Sequence, residues 1–200
     1  MKPEKRINLF VKSSVIYVIA TIIGQGMSFL GIVVFTRLMG QKEYGEYSSY
    51  YAYVSILTVL IGANLYYALN NAYIEKQDEI KQFRKSVLLL SLIIMVVVTG
   101  ILLCVGCLIT KKFPAIIVIM AALHSYGFFV VSYRMYSANM ESDYKMKQWL
   151  LVLPNAFQFF IALLFVVLLS GVSFEARVIG STVGGDLVAA FSFIEMLKCK

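Results

Sequence analysis

Charge is scarce in this 200-residue chain, where 14% of the residues are charged and 60% are hydrophobic. A water-soluble domain carries about a quarter charged residues. With a mean hydropathy of +0.80, the chain has too little polar surface to cover itself in water. Its apolar side chains must face lipid, which makes it an integral membrane protein.

Histidine and cysteine are nearly as rare, with one of the first and three of the second. Cys104 and Cys107 have CxxC spacing. They sit in the apolar middle of a hydrophobic run, with no second pair and no histidine nearby, so they are expected to be packing residues rather than a zinc or redox site. Cys199 stands alone, and no disulfide framework exists. The sequence also lacks a Ser/His/Asp order, an HExxH, a phosphate-cradling glycine loop and an aspartate-rich sugar-nucleotide motif. No catalytic residue, metal or cofactor is therefore expected, and the chain is not expected to be an enzyme. The hydrophobic runs lack the period-2 alternation of a transmembrane strand, which leaves helices as the solution in lipid.

What is present is a series of long apolar runs. A helix rises about 1.5 Å per residue and crosses a hydrocarbon layer of about 30 Å in roughly 20 residues. That ruler finds six spans, at about 13–38, 48–68, 87–109, 114–133, 148–170 and 176–197. Pro154 and Asn155 interrupt the fifth, and Gly184, Gly185 and Asp186 interrupt the sixth. The first is too long for a signal-peptide core and ends in no cleavage pattern. Short connections predict antiparallel neighbours in one membrane domain over 1–200, an all-α bundle of six transmembrane helices. Residues 73–85, YIEKQDEIKQFRK, read either as an amphipathic helix at the interface or as a solvated continuation of the third span.

Orientation follows from the basic residues. Thirteen lie before the first span, between the second and third, between the fourth and fifth, and after the sixth; five lie on the opposite side. The positive-inside rule places both termini in the cytoplasm. The net charge of +7 is then a cytoplasmic fringe facing anionic membrane lipids, and it requires no nucleic-acid partner.

Polar residues within the spans are the candidate cavity-lining groups. Asp186 lies about 200° round the helix from Gly184, which itself forms a GxxxG spacing with Gly180. If the glycine face packs on a neighbour, the carboxylate faces a water-filled cavity or a basic partner. Asn64, Tyr67 and Asn71 share one face of the second span with Tyr50 and Tyr53. His124 lies mid-span and reads either as a proton carrier or as a neutral group bonded to a neighbouring helix. Gln25, between Gly24 and Gly26, marks a bend where polar groups reach a cavity. Arg134 is expected to snorkel to the cytoplasmic face.

The stretch from Ser13, SSVIYVIATIIGQGMSFLGIVVFTRLMGQKEYGEYSSYYAYVSIL, resembles the start of bacterial polysaccharide flippases of the O-antigen and capsule type. These belong to the multidrug, oligosaccharidyl-lipid and polysaccharide exporter superfamily. The pieces that carry the resemblance are the Gly- and Gln-bearing first span, then Arg37-Leu38, Gly40, and Tyr44-Gly45 with Tyr47. Arg37 suits a helix C-terminus, where the dipole favours a cation, and the glycines suit a tight turn. The resemblance implies one lobe of a two-lobe, MATE-like transporter, the first half of a longer chain or a partner to a second lobe or second copy. It implies movement of a polyprenyl-diphosphate-linked oligosaccharide across the bacterial cytoplasmic membrane by alternating access. Arg37 would serve the diphosphate and Asn64 the sugars. The alternatives are a cation-coupled drug exporter of the same superfamily, a membrane polysaccharide polymerase or ligase, and a noncatalytic scaffold.

Overall fold

A computed structural model of the chain describes residues 3–63, 65–75, 79–105, 114–169 and 173–198. These residues are helical throughout apart from short turns. The elements are α1 (Pro3–Gly62), α2 (Leu65–Glu75), α3 (Ile80–Val105), α4 (Ala115–Met140), α5 (Tyr144–Leu168) and α6 (Ser173–Lys198). Among the described residues five helical stretches are long and apolar enough to cross a membrane, the first of them running 60 residues from Ser14 to Tyr73. The six expected spans appear as five continuous helical stretches because the backbone stays helical through the polar segment after Leu38, broken there only at Gly40 (φ 80°, ψ 166°). That conformation is open to glycine at little cost. Gly45, expected to share the turn, lies within helix.

Straight, α1 would be about 90 Å long, three times the hydrocarbon thickness. Its contacts give its true course. Before Gly40, Tyr17 meets Lys147, Gly24 meets Leu151 and Asn155, Gly31 meets Phe159, and Phe35 and Met39 cluster with Ala162 and Val166. This half is parallel to α5. After Gly40, Tyr50 meets His124, Val54 meets Ser125 and Tyr66 meets Tyr136, so this half is parallel to α4. Helix α6 relates the two, running with α4 (Gly127 at Asp186, Arg134 to Glu195) and against α5 (Gly180 at Ala162, Gly184 at Phe157). The halves of α1 therefore run in opposite directions, folding back at Gly40. Helix α3 runs against α4 (Leu88 at Tyr126, Arg84 at Glu141), so Pro3, Glu75, Met140 and Lys198 share one end of the bundle while Gly40, Val105 and Leu168 share the other. This is the pairing of loops that the basic residues predict.

The outer surface is apolar. Ile22, Phe29, Ile93 and Leu168 are 65%, 64%, 59% and 71% exposed, an arrangement that only lipid stabilises. The chain is a multi-pass all-α membrane protein.

The expected interruptions of the last two spans do not occur. Helix α5 passes through Pro154, with the Asn155 side-chain amide donating to the Leu151 carbonyl at 3.0 Å. In α6 the glycines serve packing. A Cβ on Gly180 would lie 2.5 Å from the Ala162 Cα, and one on Gly184 would lie 2.6 Å from the Phe157 carbonyl oxygen. Small residues bring helix backbones together in lipid, where the hydrophobic effect does not. Nor does Gln25 mark a bend, because the helix is continuous there and Gly24 admits the Leu151 carbonyl, 2.9 Å from where its Cβ would be.

Residues 80–85 belong to α3 and residues 73–75 end α2, so the second half of the charged segment continues the third span. Arg134 does not snorkel. It is 3% exposed and grips Glu195 through Nε (3.1 Å) and Nη2 (2.8 Å) while Nη1 donates to Glu141 at 3.2 Å. Arg84, also buried, pairs with Glu141 and Tyr73. The four ionic groups tie α3, α4 and α6 together at the end that carries Pro3. Burial pushes the Glu141 carboxyl up, but Arg84 and Arg134 beside it more than offset this and hold it below the usual carboxylate range.

Candidate functional site

The fold-back at Gly40 opens a cleft of about 300 Å³ between the two halves of α1, backed by α5 and α6. Ser28, Gly31 and Phe35 line it from the first half, Tyr44, Tyr47, Ser48 and Tyr51 from the second, Asn155, Gln158 and Phe159 from α5, and Arg177 and Ser181 from α6.

Arg177 dominates its electrostatics. The side chain is 7% exposed, and its guanidinium carbon lies 3.8 Å from the Phe35 ring centre, 3.9 Å from Tyr47 and 4.9 Å from Tyr44. Aromatic faces attract a cation through the ring quadrupole but do not neutralise it. No described carboxylate lies within ion-pair distance, and Nε has no hydrogen-bond partner among the described residues. Among the described residues Arg177 is thus a buried cation without a counter-ion, set in the wall of a cleft. Arg177 is one of the five basic residues on the sparser side of the bundle, and the charge count alone gives it no role. The available signal was its place inside the 176–197 span, since an ionisable residue within a span is a functional candidate by default.

Below Arg177 the wall is neutral and polar. Gln158 lines the cleft and also reaches behind it, where its Nε2 lies 3.4 Å from His124 Nε2. His124 is 1% exposed, stacked on Phe128 with ring centres 4.8 Å apart. Its Nδ1 lies 3.5 Å from the Tyr50 hydroxyl, which lies 3.3 Å from Thr182 Oγ1.

Of the residues that sequence reading nominated, the cleft gathers none directly. Gln25 and Arg37 are exposed and line no part of it, so the cation of the cleft is Arg177 rather than Arg37. Residue 37 falls on the face of α1 opposite to the inward Phe35 and Met39. Asn64 lies outside the described residues. His124 stands one residue behind the wall, joined to it by Gln158. Asp186 turns away from the glycine face of α6, which packs on α5, and toward α4. Its Oδ1 fills the space a Cβ would take on Gly127, is buried, and has no hydrogen-bond partner among the described residues. It does not line the cleft. The tyrosine stripe divides, with Tyr50 buried and Tyr53 and Tyr67 each 55% exposed. Cys104 is free and exposed, and Cys107 lies outside the described residues. Among the described residues no group of three metal-ligating side chains occurs.

A family model described as a polysaccharide biosynthesis protein matches residues 10–199. No curated protein matches the chain, and no solved structure does.

Proposed function

This chain belongs to the polysaccharide biosynthesis protein family, and on that premise we propose that it translocates a polyprenyl-diphosphate-linked oligosaccharide across the bacterial cytoplasmic membrane, as the amino-terminal lobe of a flippase. The observation that carries this reading is Arg177, a caged cation with no counter-ion in a cleft inside an apolar bundle. A diphosphate head supplies the missing anion, and charge-assisted hydrogen bonds to phosphate are among the strong ones. The amides and aromatic rings of the cleft suit sugars. The chemistry is transport: a bound head moves between leaflets and no covalent bond changes. In the proposed orientation Pro3 and Lys198 lie on the cytoplasmic side and Arg177 near the outer face.

Alternating access requires two bundles that rock around a shared site, and this fold supplies one, so the partner is a second lobe or a second copy of the chain. Complementation of a flippase-deficient bacterium tests the reading. Residues 1–200 alone leave surface polysaccharide absent; co-expression with a matching second lobe restores it, and Arg177→Gln abolishes the restoration. Full rescue by the short chain without a crosslinked partner, or by the Arg177 variant, contradicts it. Labelling tests the orientation: a cysteine at Gln41 reacts from outside the cell and one at Ser142 from the cytoplasm.

A further inference from the structure

Beside its tyrosines, the cleft is lined by five serine and amide side chains that each spend a donor within the protein. Ser28 Oγ donates to the Gly24 carbonyl at 3.2 Å, Ser48 Oγ to Tyr44 at 2.9 Å and Ser181 Oγ to Val178 at 3.1 Å. Each hydroxyl proton is thereby committed to its own helix. The Asn155 amide nitrogen donates to the Leu151 carbonyl at 3.0 Å. The Gln158 nitrogen is turned away from the cleft to His124. What these five side chains leave for a ligand is chiefly oxygen, the two amide carbonyls foremost, beside the second N–H of each amide. Arg177, a pure donor, stands at the other end. The level of Gln158, where it packs against Gly184 and Gly185, lies about two helical turns, roughly 11 Å, from Arg177 along α6.

The direction of the Gln158 amide is fixed from behind. An amide nitrogen only donates, so His124 Nε2 accepts and the ring carries its proton on Nδ1. That proton is given to the Tyr50 oxygen, Tyr50 then donates to Thr182 Oγ1, and Thr182 donates to the Val178 carbonyl at 2.8 Å. A carbonyl only accepts. The chain of bonds from Gln158 to Val178 therefore runs one way, and rotating the Gln158 amide would place two acceptors against each other at His124.

We propose that Asn155 and Gln158 form an acceptor subsite for the hydroxyl groups of a ligand whose anionic group docks on Arg177, and that His124 is the positioning residue that keeps the Gln158 carbonyl facing the cleft. The ligand class is a polyhydroxylated group carrying a phosphate. The inference rests on the reading of Arg177 as the anion site. It goes further in assigning hydroxyl recognition to α5, with its sense set by a buried imidazole.

The test uses the full chain in lipid nanodiscs, with polyprenyl diphosphate and the same lipid bearing one hexose as probes. Wild type binds the hexosyl lipid more tightly than the bare one. Gln158→Leu removes that advantage, a loss of about five- to thirtyfold for one to two neutral hydrogen bonds, and leaves the bare lipid unchanged. His124→Leu does the same, whereas His124→Gln, which keeps an acceptor where Nε2 stood, retains the discrimination. A set of monodeoxyfluoro hexosyl lipids, which lose one hydroxyl proton at a time, gives a readout independent of variant folding. At least one of them binds wild type as weakly as Gln158→Leu binds the parent, and that variant is indifferent to the change. Equal effects of Gln158→Leu on both lipids, or none on either, overturn the acceptor subsite while leaving Arg177 standing. Loss of discrimination in His124→Gln as well as His124→Leu overturns the positioning role. No binding by wild type, or undiminished binding of both lipids by Arg177→Gln, overturns the subsite and the anion site together.

Discussion

If Arg177 is kept for a ligand, replacing it with methionine should cost binding and leave stability almost untouched. The guanidinium lies 3.8 and 3.9 Å from two ring centres and 4.9 Å from a third. Desolvated cation–π contacts are worth about 2 kcal/mol each, so the cage returns roughly 4–5 kcal/mol. Against this stands the burial of an unpaired cation, an effective penalty of several kcal/mol. Methionine fills much of the same space and regains about 0.3–1.5 kcal/mol per sulfur–aromatic contact. The terms nearly cancel, and Arg177→Met should change unfolding free energy by no more than about 1 kcal/mol, equivalent to a melting shift of about 2–4 °C in a chain of this size. Binding of a polyprenyl diphosphate should fall about ten- to a hundredfold, since hydrogen bonds to charged groups contribute about 1.5–3 kcal/mol. Thermal unfolding in detergent and binding in nanodiscs measure the two quantities on one preparation. A melting loss above about 8 °C with binding retained would instead make Arg177 a pin between the halves of α1.

Gly40→Ala meets no atom within 4 Å, so its cost is conformational alone. A non-glycine residue at φ 80°, ψ 166° is strained by about 1–3 kcal/mol, measurable as a lower melting midpoint with the helix content of the circular dichroism spectrum unchanged. Gly180→Ala instead forces α5 and α6 apart, because its Cβ would lie 2.5 Å from the Ala162 Cα and 3.1 Å from the Ile161 carbonyl oxygen; overpacking of this kind costs about 1–3 kcal/mol and should also weaken ligand binding in the adjoining cleft. Because Arg84 and Arg134 hold the folded Glu141 carboxyl below its ordinary range, its contribution to stability is present above the unfolded value of about 4.3 and disappears as pH falls through the folded value. Glu141→Gln should therefore destabilise the protein at pH 7 and flatten the acid limb of its stability profile, and an unchanged limb in pH-dependent melting would rule out the ionic tie.

Hydropathy made the membrane class and the course of the helices legible, because lipid imposes a length and a polarity on every span. The turn at Gly40 was readable from the polar segment around it, although the persistence of helix on both sides was not. Pro154, Gly184 and Gly185 were misread as interruptions by a rule that suits water. In lipid, neighbouring helices hold the backbone in place, and a glycine there measures how closely another helix approaches. Arg134 and Arg177 were the larger misses. Their roles depend on Glu195, Glu141, Phe35 and Tyr47, residues 7 to 142 positions away, and no local pattern encodes such meetings. His124 and Asp186 were recognised as unusual, but only the packing of α4 against α1 and α6 gives their surroundings.

In the proposed function the cleft beside Arg177 receives the phosphate-bearing head of a lipid-linked oligosaccharide. Photocrosslinking in living bacteria measures this most directly, with a photoreactive amino acid at Tyr51 in the cleft or at Ile22 on the lipid-facing surface, and a radiolabelled sugar precursor to mark the lipid. The account predicts labelled sugar attached at position 51, little at position 22, and loss of the position-51 adduct when Arg177→Gln is added. Equal labelling at both positions, or a position-51 adduct that survives removal of Arg177, would contradict it.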